Sequence, residues 1–237
     1  NVYFSNLKKF DGKKLRRLNL SEIGQIAGRA GRHVNDGCFG VTGEAQNINP
    51  DEIDLIENHK FEDINNIFWR NSNLNFTNSK TLINSLDERP NKEWLRRIND
   101  CEDEKVLKYL VNNQNQLEIV NDAENLKLLW ECCQIPDFVK KSYGKHLEIV
   151  KKVYQFLSTK SRKIPNSYLK EQLKLLDKIE GNVDSLSNRI ANVRIWSYVS
   201  NKSNWVENSD YWIERTKYLE DKLSDSLHDE LTKTFID

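Results

Sequence analysis

The sequence predicts a mainly α chain in which a short α/β piece leads into an all-α helical bundle. Strand-like alternation and Gly-containing turns dominate the first 43 residues. Beyond Pro50, apolar residues recur at helical spacing almost to the C-terminus, and Pro136, Pro165 and Gly181 punctuate those stripes. At 237 residues, 38% of them hydrophobic, the chain is long enough to bury a core, and one or two domains are expected.

Taken in order, Val2 to Leu7 alternates β-branched, aromatic and polar residues and reads as a short strand. Phe10-Asp11-Gly12 is a turn. Ser21 is the expected N-cap of a helix running through about Gly31. Asn35-Asp36-Gly37 is a second turn, and Cys38–Thr42 a second strand ending at Gly43. Strand, helix, strand is the end of an α/β unit and too short for a domain of its own.

A helix is expected from Asp51 to Asn58, with further helical periods near 80–88, 91–99, 103–112 and 122–135. The later stripes are clearer. Leu147, Val150, Tyr154 and Leu157 line one face, Leu169, Leu173, Leu176 and Ile179 another, and Leu186, Ile190 and Val193 a third. Leu219, Leu223, Leu227, Leu231 and Phe235 recur on a long terminal helix. Each stripe needs cover from another helix, which predicts a bundle of seven or more.

No run approaches the roughly 18 apolar residues of a membrane helix, and Asn1-Val2-Tyr3-Phe4-Ser5 lacks a signal-peptide layout. No membrane partner is expected. Cys38, Cys101, Cys132 and Cys133 show neither CxxC nor zinc spacing and are read as reduced thiols. Methionine is absent, even at position 1, and an internal fragment is the expectation.

Net charge is zero but unevenly spread. Residues 1–33 carry Lys8, Lys9, Lys13, Lys14, Arg16, Arg17, Arg29 and Arg32 against Asp11 and Glu22, a net +6 that leaves −6 for the rest. A basic edge on an acidic body points to an anionic ligand at the N-terminal end. For Lys13, Lys14, Arg16 and Arg17, contact with nucleic-acid phosphates and a merely basic surface loop are both open.

Residues 25–32 read Gln-Ile-Ala-Gly-Arg-Ala-Gly-Arg. On a helix, Gln25, Arg29 and Arg32 fall within about 60° of one another, while Ile23, Ile26, Ala27 and Ala30 gather opposite. One face can bury while the other offers an amide and two guanidiniums. Arginine stays charged and forks two donors onto phosphate oxygens. Gly28 and Gly31 clear space beside those arginines for a ligand or a facing domain.

The segment resembles motif VI of superfamily 2 helicases, Q-x-x-G-R-x-G-R. With Leu20-Ser21-Glu22-Ile23-Gly24 before it and His33-Val34-Asn35-Asp36-Gly37-Cys38-Phe39-Gly40-Val41-Thr42-Gly43 after it, it is similar to the mitochondrial degradosome RNA helicase family and its alphaproteobacterial relatives. Leu7-Lys8-Lys9-Phe10-Asp11-Gly12, Leu128–Phe138, Ile195–Val199 and Leu219–His228 resemble other stretches of that DExH-type family.

The resemblance implies the C-terminal edge of a RecA-like α/β domain over 1–46, a helical connecting region over 47–120 and a helical C-terminal domain over 121–237. It makes Arg32 the arginine finger on the ATP γ-phosphate, Arg29 a second phosphate contact, and Gln25 a bridge to the nucleotide site. ATP and Mg²⁺ are the implied cofactors of the full-length protein. RNA, with DNA as the alternative, is the implied substrate, in RNA degradation. The compartment is the bacterial cytoplasm or the mitochondrial matrix. No G-x-x-x-x-G-K-[ST] occurs here, so the Mg²⁺-binding motifs and the P-loop belong to a missing N-terminal helicase core. The fragment alone is expected to bind no cofactor and hydrolyse no ATP.

A second reading makes the bundle a protein-interaction module that docks a ribonuclease or another partner. Trp69, Trp94, Trp130 and Trp196 are expected in the core, with Trp205 and Trp212 as the candidates for base stacking. Lys160, Arg162 and Lys163 read as a basic interhelical turn.

Overall fold

The computed structural model describes the chain except residues 12–13, 32–35, 44, 100, 114–121, 141–142 and 237, and except the side chains of residues 10 and 234–236. The fold is mainly helical, and it divides into two compact units, Asn1–Ile67 and Phe68–Asp237.

In chain order the first unit holds β1 (Val2–Phe4), β2 (Lys8–Phe10), β3 (Leu15–Arg17), α1 (Leu20–Ala27), β4 (Phe39–Val41) and α2 (Pro50–Glu57). β1 and β4 pair in parallel, Val2 opposite Phe39. Parallel neighbours need a crossover, and α1 lies within it. The expected first strand stops at Phe4, and the chain turns into an antiparallel ribbon, Lys8 opposite Arg17 and Phe10 opposite Leu15, that alternation alone did not predict. Phe4, Leu7, Ile23, Ala27, Ile48 and Ile56 form one buried core. The expected boundary at 46/47 therefore falls inside this unit, because Ile48 and α2 close the core beneath α1.

Asn19, not Ser21, caps α1. Glu22 sits three residues on, and its carboxylate accepts from the Asn19 N–H at 2.8 Å, the reciprocal half of a capping box. α2 repeats the device: Asn49 is its cap, Pro50 opens it, and Glu52 accepts from the Asn49 N–H at 3.2 Å. α1 ends at Ala27 rather than near Gly31. Past Gly28, Arg29 and Ala30 donate to Ile26 and Ala27 carbonyls in short i−3 turns, as poor helix propensity at glycine favours.

β5 (Ile67–Trp69) straddles the division. The second unit continues with α3 (Ser79–Leu86), β6 (Leu95–Arg97), α4 (Glu102–Asn112), α5 (Ala123–Cys133), α6 (Tyr143–Leu157), α7 (Asn166–Leu176), α8 (Val183–Ser200) and α9 (Ser209–Ile236). The helix expected near 91–99 is instead a turn and the strand β6, which pairs with β5. Leu147, Val150, Tyr154 and Leu157 of α6 are buried, as are Leu186, Ile190 and Val193 of α8. Sequence neighbours pack together, α4 on α5, α5 on α6, α7 on α8 and, most extensively, α8 on α9. α7 stops at Leu176, so Ile179 falls beyond it and is exposed. All four cysteines are free, Cys132 and Cys133 within the core.

Among the described residues no helix is long and apolar enough to cross a membrane.

Candidate functional site

The Gln25–Arg32 stretch starts on the last turns of α1. Ile23 and Ala27, four residues apart, carry the buried face. Ile26, expected with them, is 36% exposed, because α1 has only one covered side. Gln25 and Arg29 are both exposed, one on the helix and the other in the turn that ends it. Among the described residues no ion pair involves Arg29, so its five donors remain open to a ligand. Arg32 and Lys13 lie outside the described residues, as does His33.

Glycine is demanded just behind this turn. A Cβ on Gly37 would stand 2.2 Å from the Ala30 carbonyl carbon and 2.4 Å from the Gly31 nitrogen. The chain returning to β4 therefore runs directly against the backbone that follows Arg29. Val2 N–H then donates to Cys38 O at 2.9 Å, tying the return to the sheet.

The other expected cations separate into two kinds. β3 sends alternate side chains to opposite faces, so Arg16 reaches α1 and Arg17 reaches α2. Arg16 Nη1 and Nη2 donate to Glu22 at 2.8 Å each, and Lys9 Nζ meets the same carboxylate at 2.5 Å. Arg17 binds Glu52 in the same two-pronged way. Arg16, then Lys9 and the Asn19 N–H, hold the Glu22 carboxyl well below the usual carboxylate range, and Arg17 lowers Glu52. These arginines are matched in charge by the N3 glutamates of two successive helices. Lys14 is exposed, and among the described residues no ion pair involves it or Lys8. The open groove beside Arg17, lined by Glu52, Glu62 and Asp63, is acidic and does not suit phosphate.

In the second unit, Trp205 and Trp212 are buried at 1% and 5% exposure, Trp212 donating to Asn166 Oδ1 at 3.0 Å, while Trp94 is 49% exposed. The expected division of the tryptophans is therefore reversed at these three positions. Arg162 pairs with Glu124, and Lys163 donates to the Ser203 and Val206 carbonyls, so that turn is structural. Sequence reasoning passed over Arg89, Lys92 and Arg96, which flank Trp94 on the surface; its helical reading of 91–99 hid their common exposure. Among the described residues no group of three or more His, Cys, Asp or Glu side chains could hold a metal ion.

Comparison with protein-family models, with curated proteins and with solved structures returns no match.

Proposed function

We propose that the chain is the C-terminal part of an ATP-dependent superfamily 2 helicase acting on RNA or DNA, in which residues 1–46 are the edge of a RecA-like domain. The observation that carries this reading is the exposed Gln25–Arg29 pair. It lies at the end of a helix whose other face is buried by Ile23 and Ala27, between two parallel strands. An amide and a guanidinium so presented fit the oxygens of a triphosphate held by a facing lobe. Mg²⁺ and the P-loop contacts would come from that lobe. The chemistry ATP supplies is a transferable γ-phosphoryl group. Arg29 and Arg32 orient it and stabilise charge spreading over its oxygens.

In the full-length protein, Arg29→Ala should lower ATP turnover by at least about tenfold, and Arg29→Lys should restore it only in part, since lysine cannot fork two donors. Turnover unchanged in Arg29→Ala would overturn the reading. The isolated chain should hydrolyse no ATP above blank.

Docking of a protein partner such as a ribonuclease on the helical unit is the second reading. Phe138, in the connection after α5, and Tyr143, the first residue of α6, are 44% and 45% exposed and favour it.

A further inference from the structure

We propose that the Arg89–Asn99 stretch of the second unit is a docking surface for single-stranded nucleic acid. An open groove of about 520 Å³ lies there, lined by Arg89, Lys92, Arg96 and Arg97 against one carboxylate, Glu93. Arg97 is committed to the fold: its Nη2 meets Glu104 at 2.6 Å and Asp87 at 2.9 Å, and its Nε donates to the Leu86 carbonyl. Arg89, Lys92 and Arg96 are exposed, and among the described residues no ion pair involves them.

A turn and the strand that follows it carry these groups. Within β6, Leu95 and Arg97 turn toward the protein and Arg96 is exposed, while Trp94 is exposed in the turn that leads into the strand, where the Leu95 N–H donates to the Lys92 carbonyl at 3.0 Å. Lys92 Nζ lies 5.2 Å from the Trp94 ring centroid. Phe68, on the paired strand β5, is 73% exposed. Exposed cations beside exposed aromatic rings match a strand whose phosphates need charge and whose unpaired bases need a stacking surface. A duplex keeps its base faces buried and would use only the cations. An acidic peptide or an anionic bilayer would likewise leave the indole without a planar partner.

This surface belongs to the second unit and Arg29 to the first, and its test contains no nucleoside triphosphate, so it stands or falls independently of the helicase reading. The measurement is anisotropy of labelled oligouridine and oligothymidine titrated with the whole chain over a range of salt. The combined Arg89→Ala, Lys92→Ala and Arg96→Ala variant should bind more weakly, with the slope of log K against log salt shallower by about 2. Trp94→Ala should weaken binding about 5- to 100-fold, Trp94→Phe much less, and an abasic strand should be insensitive to both. The same three-residue change at exposed Lys160, Lys170 and Lys174 should alter little. Binding of either sugar supports the assignment. An unaltered salt slope in the Arg89, Lys92 and Arg96 variant overturns it. So does Trp94→Ala at full affinity, or tighter binding of polyglutamate or anionic phospholipid vesicles than of either oligonucleotide.

Discussion

Arg17 and Glu52, 35 positions apart, meet through two parallel hydrogen bonds, Nη1 to Oε1 at 2.5 Å and Nη2 to Oε2 at 2.7 Å. Glu52 also caps the start of α2 through the Asn49 N–H. One side chain thus fastens the ribbon to a helix terminus. The adjacent Arg16–Glu22 pair does the same for α1.

Charge removal at Arg16 and Arg17 should therefore act on stability more than on phosphate affinity. A double-mutant cycle on Arg17→Ala and Glu52→Ala should return a coupling of about 0.5–1 kcal/mol, the range for well-formed surface pairs. For Arg16 and Arg17 a lowered melting temperature with unaltered oligonucleotide binding is the expected pattern. A large loss of affinity without loss of stability would instead assign them to a ligand.

In the second unit, Glu104 is 3% exposed and serves two arginines: Arg97 at 2.6 Å, and Arg70 Nε at 3.3 Å outside good hydrogen-bond geometry. Arg70 also lies over Trp130 and pairs with Asp103. Glu104→Ala leaves two half-buried cations short of a partner and should cost about 3–5 kcal/mol. That corresponds to a melting temperature lower by roughly 10 °C. Calorimetry checks this; a change under about 1 kcal/mol would mean that Asp87 and Asp103 suffice.

His146 is 4% exposed on α6, and its Nδ1 has no hydrogen-bond partner. Burial lowers its pKa, against smaller opposing effects of Asp137 and Glu102. The neutral ring is favoured in the fold, so its contribution is complete above the unfolded pKa near 6.5 and is lost as pH falls below it. The melting temperature should drop as the pH falls below about 6.5, and His146→Leu should flatten that drop. An equally steep drop in the variant would assign it to other groups.

The bundle was legible because Leu and Val stripes at helical spacing leave one solution, mutual burial, and α6, α8 and α9 follow it. The exposure of Gln25 and Arg29 was legible because Ile23 and Ala27 fix which face of α1 turns inward. Three features were not legible. The β2–β3 ribbon is only three residues per strand, too short for alternation to stand out. The pairing of Arg16 and Arg17 depends on Glu22 and Glu52, whose approach is set by tertiary packing. The 91–99 segment carries Leu95 and Ile98 three residues apart, a spacing that reads as a helix face, and the β5 pairing overrides it.

ATP turnover by the full-length protein with Arg32→Ala tests the central claim most directly. The account predicts a fall of about 10³–10⁵ in rate with nucleotide affinity nearly unchanged. Turnover equal to that of the unmodified protein would contradict it.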